Sequence, residues 1–161
     1  MTNDPRRGLP SASAMDRLEA CPASFHASKG LPDSSSDDAE SGTRIHKSLE
    51  TGDASELSPD ELDTFEMCQE QRQQIVEAWY GSDPGHGVLD PFLEVRLGLT
   101  NIGGVVEVTD ETTATLRFTG QADVIAIAGK RGLVLDYKTG RGDYEHATGN
   151  RQLRALAALA A

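Results

Sequence analysis

The sequence predicts a mixed α/β fold of the α+β type, with a central mixed sheet of about four to five strands flanked by helices and a helical N-terminal region. Three observations predict it. Apolar residues recur at helical spacing as far as residue 81, and from Pro91 the period changes to two. A last helical segment begins near Asn150.

The 161 residues suffice for about one domain. We expect a flexible segment over residues 1–12 and a single domain over 13–161. No apolar run approaches the ~20 residues of a membrane span, and the N-terminus has no long apolar stretch typical of a secretory signal. These features predict a cytoplasmic protein, in a bacterial or phage-infected cell, without a membrane partner.

The helical part is expected over residues 13–81. Ser13 is a candidate cap for a first helix, in which Pro22 should cause a break. The apolar face of this helix carries Met15, Leu18, Cys21 and Phe25. The acidic, serine-rich segment 30–41 reads as a loop.

A second helix is expected from Gly42, with Ile45 and Leu49 as its buried pair. Ser58-Pro59-Asp60-Glu61 is a strong start signal for a third, because serine caps, proline suits the first turn and glutamate completes a capping box. The helical stripe of this third helix contains Leu62, Phe65, Cys68 or Gln69, Arg72, Ile75 or Val76, and Trp79.

The sheet is expected over residues 91–139. Its predicted strands are Pro91–Leu99, Val105–Thr109, Thr113–Thr119, Ala122–Ile127 and Leu133–Tyr137. A terminal helix follows over 150–161. Because this helix shows no C-terminal capping signal, we expect it to be incomplete and the parent protein to continue beyond Ala161.

Charged residues interrupt the last two apolar runs. Asp136 and Lys138 are two apart, so on a strand they point to the same face, and a hairpin would bring Asp123 to the same end of the sheet. Burying that much charge is costly unless a cation or an anionic substrate compensates it. The first hypothesis is therefore a metal-dependent phosphodiester site.

Phosphodiester hydrolysis needs an activated water and neutralisation of the phosphate charge, which Mg²⁺ supplies. Asp123, Asp136 and the Tyr137 carbonyl offer the oxygen ligands that Mg²⁺ prefers. Lys138 would orient the water or stabilise developing negative charge. The competing interpretation is a weak surface ion pair of Asp136 and Lys138. The Gly120 to Asp123 segment ahead of it makes that interpretation less attractive.

The net charge of −11 is unusual for a protein that binds DNA. Its distribution is uneven, because residues 33–70 hold twelve acidic side chains against two basic ones, whereas residues 129–154 hold six basic against three acidic. Phosphate binding follows the local field more than the total charge. The second half of the chain therefore remains a candidate DNA-binding region.

Several motifs together resemble the RecB-type nuclease domains of the PD-(D/E)XK superfamily, especially phage and CRISPR-associated RecB-like exonucleases. The resemblance spans most of the chain. The segment SASAMDRLEACPASFHASKG is similar to the opening helix of that group. The further matching residues are His46 in GTRIH, Asp123 in GQAD, Asp136 and Lys138 in DYKTG, Gln152, and Glu94 in FLEVRL.

The resemblance implies a restriction-endonuclease-like core and a Mg²⁺- or Mn²⁺-dependent nuclease acting on DNA ends or single strands. It implies an exonuclease of DNA recombination, repair or phage DNA processing, with a helicase or recombination protein as a candidate partner. The implied metal ligands are His46, Asp123, Asp136 and the Tyr137 carbonyl, with Glu94 as an additional candidate. Lys138 is implied as catalytic, and Gln152 as lying near the DNA or the lysine.

Two residue types depart from that pattern. Leu156 stands where the group has a tyrosine after Gln152. Some members bind a [4Fe–4S] cluster through four cysteines, whereas this chain has Cys21 and Cys68, so no cluster is expected from it alone. Both thiols are expected to be buried. Without the resemblance, His46 would be taken as structural or solvated, and the remaining histidines keep that interpretation.

Two other function classes remain open. One is a catalytically impaired or non-catalytic DNA-binding or regulatory module on the same fold, against which the retained Asp123, Asp136 and Lys138 argue. The other is an acidic protein–protein interaction domain that uses residues 33–70 as its contact surface.

Overall fold

A computed structural model describes residues 8–29, 31, 36–81, 91–139 and 146–161. A short 3-10 helix, Ala12–Ala14, precedes the helices α1 (Met15–Ala20), α2 (Ser24–Ala27), α3 (Asp37–Thr51), α4 (Pro59–Gly81) and α5 (Arg151–Ala160). The strands are β1 (Phe92–Thr100), β2 (Val105–Glu107), β3 (Leu116–Ala128) and β4 (Arg131–Leu135). Within this described part, no helix has both the length and the apolar character to cross a membrane.

The four strands form one sheet in the order β2-β1-β3-β4, and helices flank it. β1 pairs antiparallel with β2, and β3 with β4. Ser11 adds a parallel bridge to Thr119 on β3. The predicted mixed α/β class and the number of strands are therefore confirmed.

β3 joins two strands that the sequence predicts as separate, Thr113–Thr119 and Ala122–Ile127. Gly120 lies inside this 13-residue strand and does not end it. The glycine serves packing, because a Cβ there would lie 2.7 Å from a Leu156 methyl and 3.2 Å from the Ala12 Cβ. The prediction of a break between the two runs was wrong for that reason.

The chain divides into two compact units. The first contains Met1–Pro32, Glu94–Ala122 and Glu145–Ala161, and the second contains Asp33–Leu93 and Asp123–Tyr144. In the first unit, Leu156 and Leu159 of α5 pack over Gly120. Ser11 and Ala12, which belong to the segment predicted to be flexible, are buried.

The break at Pro22 is confirmed, because α1 ends at Ala20 and α2 begins at Ser24. The apolar face predicted for this region is not buried: α1 has no buried residue, and Cys21 is exposed. The prediction of two buried thiols therefore holds for Cys68 alone. Helices this short offer too little continuous surface for a buried stripe.

In the second unit, α3 begins at Asp37, five residues before the predicted start. The predicted loop 30–41 was therefore wrong over its last five residues, and residues 30 and 32–35 lie outside the described part. The Ser36 side chain caps the helix by accepting a hydrogen bond from the Ala39 N–H at 3.2 Å. Acidic side chains in the first turn then stabilise the positive end of the helix dipole.

The start of α4 is confirmed as a capping box. The Ser58 N–H donates to Glu61 at 2.9 Å, and the Glu61 N–H donates to the Ser58 hydroxyl at 3.4 Å. Of the predicted stripe, Phe65, Cys68 and Val76 are buried, whereas Leu62 and Ile75 are exposed. The buried face of the helix carries Glu61, Phe65, Cys68, Val76 and Tyr80.

Two apolar clusters anchor α4 in the second unit. Its first half packs with α3 in a cluster of Ile45, Leu49, Phe65 and Cys68, against which Tyr137 packs. Its second half packs on the β3–β4 hairpin in a cluster of Val76, Tyr80, Ala126 and Ala128. The hairpin and α3 are thereby held by one long helix.

Candidate metal centre and active site

The β3–β4 hairpin brings the two predicted aspartates to the same end of the sheet. Val124 is opposite Leu135 in the antiparallel register, so the next pair outward is Asp123 and Asp136. β4 ends at Leu135, and Asp136 and Lys138 therefore follow the strand instead of lying on it. The sequence predicted the convergence correctly and placed the strand end too late.

Asp123 is buried, with 6% of its surface exposed, and both of its carboxylate oxygens are engaged. Oδ1 lies 3.2 Å from Nδ1 of His46. Oδ2 accepts a hydrogen bond from the Tyr137 backbone N–H. A carboxylate held on both sides in this way has a defined orientation, which a metal ligand requires.

His46 reaches Asp123 from α3. The burial of Ile45 and Leu49 on that helix sets its rotation. The His46 side chain remains 29% exposed, and its ring meets the Tyr137 ring edge-on with centroids 5.9 Å apart. The contacts of His46 with Asp123 and Tyr137 place it in the candidate site, which helical periodicity alone did not predict.

Two titratable groups near Asp123 have raised pKa values. Burial raises the pKa of the Tyr137 phenol, and burial together with the charge of Asp123 raises the pKa of the Cys68 thiol. Both groups are therefore uncharged at neutral pH.

Asp136 and Lys138 form an ion pair. The Asp136 side chain is 6% exposed and that of Lys138 is 36% exposed, so the carboxylate is buried and the ammonium reaches the surface. The alternative of a surface ion pair is therefore inconsistent with the burial of Asp136. A lysine held by a buried carboxylate offers a positioned positive charge for a phosphate.

Two of the motifs meet at Gly42 and Thr139. A Cβ on Gly42 would lie 3.2 Å from the Thr139 hydroxyl oxygen, which is closer than ordinary packing. The glycine therefore lets α3 approach the segment that carries Lys138. Gly140, the last residue of the DYKTG motif, lies outside the described residues.

Glu94 and Gln152 belong to the first unit. Glu94 lies on β1 and accepts a hydrogen bond from the Gln121 side chain at 2.5 Å, and Arg96 donates to the same Gln121. Gln152 lies half-buried in the first turn of α5. Sequence reasoning missed Gln121 and Arg96, although Gln121 is inside the GQAD motif and Arg96 is two residues from Glu94 on one strand.

The donor set at His46 and Asp123 fits a divalent ion. A carboxylate oxygen suits Mg²⁺ and Mn²⁺, and an imidazole nitrogen suits Mn²⁺ better. The 3.2 Å separation of Nδ1 and Oδ1 places the nitrogen ligand and the oxygen ligand side by side.

Comparison with known proteins identifies one family. A family model described as the PD-(D/E)XK nuclease superfamily matches residues 10–161. No curated protein and no solved structure shows a significant match.

Proposed function

The chain belongs to the PD-(D/E)XK nuclease superfamily, and we propose that it is a divalent-metal-dependent deoxyribonuclease of the RecB type. The observation that carries the proposal is the buried Asp123 carboxylate, which contacts His46 on one side and the Tyr137 N–H on the other. A buried carboxylate with an imidazole partner has no purpose in a simple DNA-binding surface, whereas a metal-dependent hydrolase needs it.

Mg²⁺ or Mn²⁺ is the proposed cofactor. His46 and Asp123 would hold it, with Asp136, the Tyr137 carbonyl and Glu94 as further candidate ligands. When bound, such an ion lowers the pKa of a water molecule and neutralises charge on the phosphate. The imidazole in the set favours Mn²⁺ over Mg²⁺.

Lys138 is the proposed catalytic cation. Its pairing with buried Asp136 holds the ammonium near the end of the hairpin, where it can orient the attacking water or stabilise negative charge that develops on the phosphate. Gln152 is proposed to contact the DNA or the lysine, on the strength of the motif it matches.

The proposed substrates are DNA ends or single strands, which makes the activity exonuclease-type. The proposed setting is recombination, repair or phage DNA processing in the cytoplasm, with a helicase or recombination protein as a partner. These finer assignments rest on the motif resemblance described above.

Cleavage of linear duplex, linear single-stranded and circular DNA tests the proposal. We expect the purified chain to degrade linear DNA with Mn²⁺ or Mg²⁺ and not with a chelator. Lys138→Ala should reduce the rate by about 10²–10³-fold, because one charge-stabilising group is lost. Lys29→Ala, which replaces an exposed lysine outside the basic segment 129–154, is the matched control and should cleave normally.

Two outcomes would contradict the proposal. Equal degradation with metal, with chelator and by Lys138→Ala would indicate a contaminating nuclease. DNA binding without any metal-dependent cleavage would instead identify the non-catalytic module.

A further inference from the structure

A chain of hydrogen bonds connects β1 and β3 in the first unit. The Gln121 amide nitrogen donates to Oε2 of Glu94 at 2.5 Å. The Arg96 guanidinium donates to the amide oxygen of the same Gln121. All three side chains are half-buried, so water competes less for these contacts than on an open surface.

The chemistry of the three groups fixes the direction of these hydrogen bonds. A guanidinium can only donate hydrogen bonds, and an ionised carboxylate can only accept them. The amide of Gln121 has one end of each kind, so Arg96 selects its oxygen and leaves the NH₂ group for Glu94. A flipped amide would set two donors against each other at Arg96 and two acceptors against each other at Glu94.

The backbone at Glu94 is also unusual. Its φ angle is +52°, in the left-handed region that residues with a side chain rarely adopt, and it lies within a strand. Such a conformation persists where surrounding contacts hold it, and it concentrates at functional sites. The side chain and the main chain of Glu94 are therefore both constrained.

We infer that Gln121 and Arg96 are positioning residues that hold the Glu94 carboxylate in one orientation for a divalent cation. The inference rests on the proposed function, in which Glu94 is a candidate ligand. Gln121 acts through Glu94, and Arg96 acts through Gln121 by fixing the amide orientation. Hydrogen-bond partners of metal ligands typically change metal affinity by about 10–100-fold when they are removed.

Calorimetric titration of the purified chain with Mn²⁺ tests this order of action. Gln121→Leu and Gln121→Met each remove both contacts and add no charge beside Glu94. Each should weaken Mn²⁺ binding by about 10–100-fold. Arg96→Met, which frees the amide to flip, should weaken it in the same direction.

A double variant separates positioning from a structural role. If Gln121 acts through Glu94, then Glu94→Gln combined with Gln121→Met should bind Mn²⁺ no more weakly than Glu94→Gln alone. Gln74→Met is the matched control, since Gln74 is an exposed glutamine that bonds Glu70 on α4, and its variant should bind as the native chain does.

Unchanged affinity in the Gln121 variants, or additive losses in the double variant, would overturn the inference. Circular dichroism verifies folding, and Gln121→Leu carries the test if Gln121→Met unfolds. Asp123→Asn distinguishes failure of this inference from failure of the proposed function. If it loses Mn²⁺ binding while the Glu94 and Gln121 variants do not, the inference fails alone, and if it keeps both binding and cleavage, the proposed function fails.

Discussion

Gly120 lies where α5 packs against β3. A Cβ at this position would lie 2.7 Å from a Leu156 methyl and 2.8 Å from a Leu159 methyl. Leu156 is 1% exposed, so this residue of α5 is part of the core. The glycine of the GQAD motif thus has a packing role that is separate from the chemistry of Asp123.

Gly120→Ala should destabilise the protein. The added methyl group overpacks the contact with α5, which should lower the free energy of unfolding by about 1–3 kcal/mol in urea denaturation. Gly132→Ala is the control, because nothing lies within 4 Å of a Cβ built on this β4 glycine. If the two variants are equally stable, the close approach of α5 to Gly120 does not exist in solution.

Glu61 joins two helices at the scale of the secondary-structure elements. It completes the capping box of α4, and its Oε1 accepts hydrogen bonds from the Arg44 guanidinium of α3 at 2.6 and 3.0 Å. Arg44, and then the Ser41 hydroxyl and the Ser58 N–H, lower the pKa of this carboxyl to about 2. The α3 that carries His46 is therefore tied to α4 by one ionised group.

This contact predicts an acid-sensitive contribution to stability. Because the pKa of Glu61 is lower in the folded chain than the ordinary 4.5, its contribution is complete above that value and is lost as the pH falls towards about 2. Glu61→Gln should therefore show a smaller loss of unfolding free energy between pH 5 and about 2.5 than the native chain, measured by urea denaturation.

Glu66→Gln, an exposed glutamate of the same helix, is the control and should retain the native acid dependence. An unchanged acid dependence in Glu61→Gln would mean that the carboxylate is not held by Arg44 in solution.

At the scale of the whole molecule, a chain with a net charge of −11 must bind a polyanion through a few local cations. Some of its basic residues are already engaged. Arg151 pairs with Asp16 and Glu19, and the Arg131 guanidinium lies 5.3 Å from the centre of the Trp79 ring. Among the described residues, these two arginines are therefore less available for phosphate contacts.

DNA affinity should therefore fall only gently with salt. With about three phosphate contacts, the logarithm of the binding constant should fall with the logarithm of salt at a slope of about −2 to −3. Fluorescence anisotropy with labelled single-stranded and duplex DNA, in Ca²⁺ to slow cleavage, measures this slope. A slope steeper than about −6 would require a basic surface that this charge distribution does not predict.

Local signals predicted most of the secondary structure. Ser58 to Glu61 started α4 correctly, and Pro22 separated α1 from α2, because capping and proline geometry act within a few residues. The wrong predictions concern positions whose structure depends on contacts with residues distant in the sequence. The sequence predicts a strand end at Gly120, whereas the glycine is needed for the close packing of Leu156. The sequence also predicts a buried Cys21, whereas this residue is exposed because its helix is too short to bury a face.

The sequence by itself determined the fold class, the superfamily motifs and the convergence of Asp123 and Asp136, because alternation along strands and a tight hairpin are local properties. Only the tertiary structure decided which groups hold those carboxylates. The contacts of Asp123 with His46, of Gly42 with Thr139 and of Gln121 with Glu94 join residues far apart in the chain. No periodicity encodes such contacts, because they depend on how the helices and strands pack.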